Sequence, residues 1–352
     1  PEHLTEGRKI MSDFIAGVGM VAHVSTFLWC AFGSVLGIIL GALPGLTATM
    51  GIALVIPVSY QLDTATGIGM LLAVYCGAVC GASIPAILLG IPGNPNAIAT
   101  TEDGQLMTKK GLAGQALGGA IIASVIGGLG SEIFLIFFSP LVAEMTLAFG
   151  PAEKCTLALV GLVIIAVVSG NNVLKGLLMG ALGFVLAFLG PDPMSGALRI
   201  PFVSVLGKTP FADGLDMTST LIGLYGVSQV FAEIDNFRKP QNTNVCTNIG
   251  RPFPPLKKLL SMWKIVLSSL GIGTLIGAIP GTGASIAVFM SRNAATGICS
   301  RSKGKLDMPG TGCLEGVVAP EVANNAVTGG ALIPALSLGI PGDAATAVLI
   351  GA

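Results

Sequence analysis

Charge is the scarcest property of this sequence. Of 352 residues only 10% are Asp, Glu, Lys or Arg, two are histidines and 6% are aromatic. The 18 basic and 18 acidic side chains cancel, which leaves no net field to draw nucleic acid or an acidic surface. Scarce histidine also removes the usual metal ligand. The seven cysteines (Cys30, Cys76, Cys80, Cys155, Cys246, Cys299 and Cys313) are an odd number, set mostly in apolar segments. They read as small buried hydrophobes, so the expectation is no disulfide framework, no structural metal and no cofactor. A phosphate-binding Gly-x4-Gly-Lys-Ser/Thr loop is missing too. In "FVSVLGKT" Phe202 stands where its first glycine would be, so nothing supports direct use of ATP.

What is abundant is apolar. Hydrophobic side chains make up 52% of the chain and glycines number 50, with a mean hydropathy of +0.83. Such a composition belongs to an integral membrane protein. Its glycine- and alanine-rich segments suit closely packed helices rather than the alternating strands of a barrel. The fold expected is an all-α polytopic membrane protein. Spans able to cross a bilayer, which takes about 17 residues or more, fall near 64–90, 112–139, 153–169, 173–190, 217–234 and 316–341.

Basic residues cluster at Arg238, Lys239, Arg251, Lys257, Lys258 and Lys264, and the positive-inside rule puts this stretch in the cytoplasm. Counting crossings backward returns Lys109 and Lys110 to the cytoplasm and the loop 59–67, free of lysine and arginine, to the outside. Glu102 and Asp103, beside those lysines, read as part of a solvated loop.

Two more apolar stretches, 23–58 and 265–291, are interrupted by Pro44-Gly45 and Pro280-Gly281. Basic residues flank 265–291 on both sides, so it must turn around inside the membrane. We read it as a re-entrant helical hairpin, with 23–58 as a counterpart entering from the opposite face. Gly33, Gly37, Gly41 and Gly45 recur every four residues, as do Gly273, Gly277 and Gly281, which predicts tight packing within each hairpin.

The breaks belong to a repeat. "GALPGLTATMGIAL" (41–54) aligns without gaps on "GAIPGTGASIAVFM" (277–290), and "GASIPAILLGIPGN" (81–94) aligns on "GALIPALSLGIPGD" (330–343), in the same order. With hairpins entering from opposite faces, the halves read as inverted repeats, the signature of secondary transporters that work by alternating access. The organisation expected is a first repeat over 1–237, with a hairpin near 23–58 and about five spans. A cytoplasmic basic linker covers 238–264. A second, inverted repeat starts over 265–352, with the hairpin 265–291 and a broken span at 316–341. Only nine residues follow Asp343, so the second repeat is expected to be truncated here, with roughly four crossings beyond.

Broken helices expose backbone amides that attract anions and carbonyls that attract cations. The candidate substrate- or ion-binding residues are therefore the tips Pro44, Gly45, Pro92, Gly93, Pro280, Gly281, Pro341 and Gly342. With them go the nearby hydroxyl, amide and acidic side chains Thr47, Thr49, Asn94, Asn96, Thr282, Ser285, Asn324, Asn325 and Asp343. Helix capping or interhelical hydrogen bonding accounts equally well for any one of them. Glu321 in "APEVANNA" is a candidate coupling or gating residue, or else pairs at a cytoplasmic helix end. A channel and an intramembrane aspartyl enzyme at Asp343 are the competing functional readings; the second lacks a partner aspartate on another span.

These motifs, with "YCGAVCGASIPAILLGIPGNPNAIATTEDGQLMTKKG" (75–111), "LAFGPAE" (147–153) and "GVVAPEVANNAVTGGALIPALSLGIPGDAATAVLIGA" (316–352), closely resemble the large membrane subunit of the tripartite tricarboxylate transporters, the TctA family. The resemblance implies a permease, not an enzyme, in the bacterial inner membrane. It implies import of organic acids such as citrate on a proton or sodium (Na+) gradient. The partners it implies are a small membrane subunit and a periplasmic solute-binding protein.

Overall fold

Residues with no Cβ decide which helices touch. In the computed structural model, which describes residues 16–43, 45–147, 173–189, 249–280, 283–302 and 304–352 with isolated positions 150, 152, 156, 215 and 231, every regular element is helical. Helix α1 (Val24–Ala42) ends before the Pro-Gly break, and α2 (Ala48–Ser59) restarts after it. Next come α3 (Thr64–Gly81), the short α4 (Ser83–Leu88), a 3-10 turn at Pro95–Ala97, α5 (Ile98–Lys109), α6 (Ala113–Leu147) and α7 (Val173–Ala187). The second part contains α8 (Leu256–Ser261), α9 (Trp263–Gly277), α10 (Gly283–Arg301), α11 (Leu314–Leu338) and α12 (Ala344–Gly351). Among the described residues three stretches are long and apolar enough to cross a membrane: Val24–Ala42, Thr64–Leu88 and Ala113–Glu144.

The glycine stripes do not close each hairpin on itself, as their spacing predicts. Instead α1 lies along α3, where a Cβ at Gly33, Gly37 or Gly41 would collide with the carbonyl oxygens of Met70, Val74 and Ala78. In return, a Cβ at Gly77 or Gly81 would strike the carbonyls of Ser34 and Ile38. The reason is on the facing helix: α3 offers Ala73, Gly77, Ala78 and Gly81 as a second small-residue seam, so backbones approach from both sides. The second part repeats this seam at aligned positions. Gly273 and Gly277 on α9 meet the carbonyls of Ala323 and Val327 on α11, and Gly330 meets that of Thr274.

Helix α11 is the hub. Every residue from Leu314 to Ala335 is buried, although the stretch contains Glu315, Glu321, Asn324, Asn325 and Thr328. It packs against α6, α9, α10 and α5. Its helix runs through Pro320 and Pro334, so the break expected within 316–341 falls at the C-terminal end, where Gly339 takes φ +66°.

The segment around Asp103, read from sequence as a solvated loop, is helix α5, and Asp103 is fully buried. Its carboxylate accepts hydrogen bonds from the backbone amides of Gly310 (2.8 Å), Gly312 (2.8 Å) and Cys313 (3.2 Å) and faces Arg292 Nη2 at 3.2 Å. Positive φ at Gly310 and Gly312 (+96° and +74°) turns those amides inward as an anion nest. Charge scarcity thus conceals a local charge cluster: Arg292 also pairs with the exposed Glu102 at 2.7 Å. Lys258 bridges buried Glu315 (2.6 Å) and Asp307 (2.7 Å). Burial opposes the Lys258 charge, yet its two acidic partners outweigh that penalty and raise its pKa above the ordinary lysine value.

Two outcomes follow from this packing. Gly37→Val should lower the thermal stability of the detergent-solubilised protein by ~3 kcal/mol; Gly128→Ala, where a Cβ meets nothing within 4 Å, should raise it slightly. Asp103→Ala should cost about 3 kcal/mol because it strands inward-pointing amides and Arg292. Glu102→Ala, at a surface pair, should cost under ~1 kcal/mol in the same melting assay.

Candidate functional site

Each Pro-Gly break ends one helix and starts another, and the starts converge. A cavity of about 220 Å³ is lined by Thr47, Ala48 and Thr49 entering α2, Asn94 to Asn96 entering α5, Gly283 to Ser285 opening α10, and Asp343 to Ala345 entering α12. Its remaining walls are Tyr75 and Val79 of α3 and Asn324 and Val327 of α11. The first turn of a helix carries amides without intrahelical partners and about half a positive charge. Four such ends point first-turn amides toward one space, whose described lining contains the Asp343 carboxylate and no lysine, arginine or histidine.

The lining is built from aligned positions of the two repeats. Thr47 to Thr49 align with Gly283 to Ser285, and Asn94 to Asn96 with Asp343 to Ala345. Extending the second alignment upstream matches Tyr75 with Asn324. The packing is reciprocal as well: α12 of the second repeat rests on α2 of the first, and the turn leading into α5 rests on α10.

Two hydrogen bonds cross between the repeats at the cavity wall. Tyr75 Oη donates to Asp343 Oδ2 at 2.5 Å, and Ser285 Oγ donates to Asn96 Oδ1 at 2.7 Å. Asp343 Oδ1 also accepts from the Thr346 amide (2.8 Å) and hydroxyl (2.9 Å), capping α12. Asn94 caps its own turn by accepting from the amides of Asn96 (3.0 Å) and Ala97 (3.1 Å), while Thr47 caps α2 weakly through the Met50 amide at 3.4 Å. Asn324 differs from all of these. It is 1% exposed, and neither its Nδ2 nor its Oδ1 has a hydrogen-bond partner. Buried amides are almost always satisfied; this one is unpaired at the cavity wall, with both polar atoms almost shut off from solvent.

A second polar cluster lies behind the cavity. Glu321, one turn before Asn324 on α11, is fully buried. Thr100 Oγ1 of α5 donates to its Oε1 at 2.6 Å, and Ser124 Oγ of α6 lies 3.4 Å from Oε2. Asn325 Nδ2 donates to Ser124 Oγ at 2.8 Å and to the Glu321 carbonyl at 3.1 Å. Among the described residues no ion pair reaches Glu321.

Of the residues singled out from sequence, Thr47, Thr49, Asn94, Asn96, Ser285, Asn324 and Asp343 meet at the cavity, whereas Asn325 and Glu321 form the cluster behind it. Gly45 (φ +92°) donates its amide to the Gly93 carbonyl at 3.3 Å, joining the first repeat's two breaks. Gly93 packs on Ala82, and its aligned partner Gly342 packs on Ala331. Pro92, Pro280 and Pro341 sit at the corresponding breaks without lining the space. Pro44, Gly281 and Thr282 lie outside the described residues. Sequence reading missed Tyr75, Thr100 and Ser124. Tyr75 had one available signal, its alignment with Asn324; the two hydroxyls had none. Reading also passed over Glu132, a carboxylate inside the apolar stretch Ala113–Glu144.

Comparison with known proteins places this architecture. The profile of the family described as Tripartite tricarboxylate transporter TctA family matches residues 27–352. An uncharacterized 52.8 kDa protein in the TAR-I ttuC' 3'region of Agrobacterium vitis is 32% identical over 97% of this chain, which spans 66% of that relative's length. An uncharacterized protein in the TAR-II ttuC' 3'region of the same organism is 40% identical over 23% of the chain and 31% of its own length. No solved structure matches. With the family profile covering nearly the whole sequence, including all four Pro-Gly breaks, the chain belongs to the tripartite tricarboxylate transporter TctA family.

Proposed function

We propose that the chain is part of a permease that carries organic acids across the bacterial inner membrane, with the cavity as the substrate site. The observation that carries this reading is the convergence of four helix starts and the unpaired carboxamide of Asn324 on one small space. Amide dipoles and a neutral side chain hold a carboxylate without a fixed counter-cation, beside an Asp343 carboxylate whose oxygens already accept from Tyr75 and Thr346, so the anion can leave again when the site opens. A volume of about 220 Å³ suits a compact di- or tricarboxylate better than a drug-sized ligand, whose sites start near ~300 Å³.

Alternating access supplies the transport step in this proposal. The repeats are inverted in the membrane, their Pro-Gly stretches are re-entrant hairpins, and exchanging their conformations opens the cavity to one face and then the other. The support is the reciprocal lining by aligned residues, together with basic flanks on both sides of 265–291. A proton or sodium gradient drives accumulation. A small membrane subunit and a periplasmic solute-binding protein complete the assembly, the latter delivering the substrate.

The test is uptake of radiolabelled citrate, malate and succinate by membrane vesicles carrying the full-length permease with its small subunit and binding protein. Asn324→Leu, close in volume and apolar, should cut uptake at low substrate at least about tenfold, mainly through a raised KM. Wild-type uptake by Asn324→Leu would remove the cavity from the transport path. Uptake that survives collapse of both ion gradients would replace the gradient-driven carrier with a channel.

A further inference from the structure

We propose that Glu321 binds the coupling proton: its buried carboxyl, walled off from the cavity, takes up one proton on Oε2 for each cycle and releases it on the opposite side. This inference rests on the transporter reading above and specifies its energy source.

The geometry separates a proton site from a sodium site. Sodium, a hard cation, requires a shell of several oxygen ligands. The Glu321 carboxylate instead meets two hydroxyls, of which Thr100 already donates into Oε1 at 2.6 Å. Among the described residues Oε2 has only the long contact to Ser124 Oγ, at 3.4 Å, and that hydroxyl accepts from Asn325 Nδ2 at 2.8 Å. A proton on Oε2 turns this contact around: the carboxylic O–H donates to Ser124 Oγ, which keeps its bond from Asn325 and rotates its own hydrogen away from Oε2. Both forms of the residue therefore find partners in place, and one proton is the whole difference between them. A carboxylate at membrane depth with no ion pair is costly, and a proton is the smallest ligand that removes the charge.

Other ionisable groups on the surrounding elements are engaged, of the wrong sign or, like Lys109 and Arg301, in the last turns of α5 and α10. Asp103 and Glu102 on α5 are held by Arg292 of α10, and Glu315 on α11 is held by Lys258. Cys80 on α3 faces Ser124, and Glu132 and Glu144 are the acids of α6. Asp343, across the cavity wall, is bound by Tyr75 and Thr346, and α9 contributes only Lys264 at its first turn. None of these supplies a cation to Glu321.

The site is also linked to the cavity through two helices. Asn324 follows one turn after Glu321 on α11, and Thr100 belongs to α5, which follows directly on the 3-10 turn that carries Asn94 and Asn96 into the lining. Protonation of Oε2 rearranges the contact between α11 and Ser124 of α6, while the Thr100 bond keeps α5 tied to α11. An exposure of 0% keeps the proton from leaking while the cavity is closed.

The experiment uses proteoliposomes holding the full-length permease and small subunit, supplied with the binding protein and radiolabelled citrate, malate or succinate. In wild type, an imposed pH gradient drives accumulation, and a pH dye inside the vesicles reports proton entry that depends on substrate. Glu321→Gln should abolish accumulation on the pH gradient and the dye signal while still exchanging external for internal substrate. Thr100→Val, which keeps the carboxyl and removes its donor, should move the midpoint of the uptake pH profile to higher pH. Accumulation by Glu321→Gln equal to wild type overturns the proposal, as does a Thr100→Val profile that does not move. If Glu321→Gln fails to fold, the wild-type dye signal and the Thr100→Val profile decide. Wild-type accumulation that needs sodium and brings in no protons also overturns it, while leaving the transporter reading standing. No uptake of any of the three acids under either gradient sinks the transporter reading itself, and this inference with it.

Discussion

A helix that is polar along much of its length and buried on every side sets the terms for everything around it. From Leu314 to Ala335 no residue of α11 reaches the surface, yet the stretch contains two carboxylates, two carboxamides and a threonine. Each needs a partner, because an unmet polar group in an apolar interior costs more than a hydrogen bond returns. The partners come from different elements and hold them in place: Lys258 from α8 for Glu315, Thr100 from α5 and Ser124 from α6 for Glu321, and Ser124 again for Asn325. Asn324 is the amide that this network leaves open, and it is the one on the cavity wall. Thr274 Oγ1, Arg292 Nε and Glu315 Oε2 are also buried without partners, but unlike them Asn324 lies at the cavity, and the function proposed there begins with it.

The Pro-Gly breaks pose the complementary problem. Each interrupts a helix and strands backbone amides that lipid cannot satisfy. Gathering four helix starts around a single space lets one occupant answer all of them, and caps from Asn94 and Asp343 meet part of the demand meanwhile. Charge is rationed in the same way. The carboxylates at the α5 and α8 end of the molecule are matched by Arg292 and Lys258, whereas Glu321 is set among hydroxyls.

Much of this was legible in the residues. Composition gave the helical membrane class, and the paired "IPGN" and "IPGD" motifs located the breaks whose following residues line the cavity. The glycine stripes were read correctly as close-packing seams but assigned to the wrong neighbours. Spacing along one helix says that something approaches closely and says nothing of what; Ala73, Gly77 and Gly81 of α3 carry the same four-residue period, but nothing in the sequence pairs the two stripes. Asp103 was misread because a run such as "TTEDGQLMTKKG" looks solvated; its burial depends on Gly310 and Gly312, some two hundred residues away in the chain and turned inward by positive φ. Thr100 and Ser124 were invisible for the same reason: a hydroxyl in a helix becomes a carboxyl's partner only through tertiary contact.

The glycine seams carry one more consequence. Where α1 meets α3 and α9 meets α11, peptide group lies against peptide group with no side chain between. Rotamer changes and swaps of one aliphatic residue for another, which loosen ordinary cores, have nothing to act on at such a contact. The distance between these helix pairs works as a fixed ruler set by bond geometry, and the width of the cavity is measured off it. Sequence can drift freely on the lipid-facing sides while that calibration stays constant.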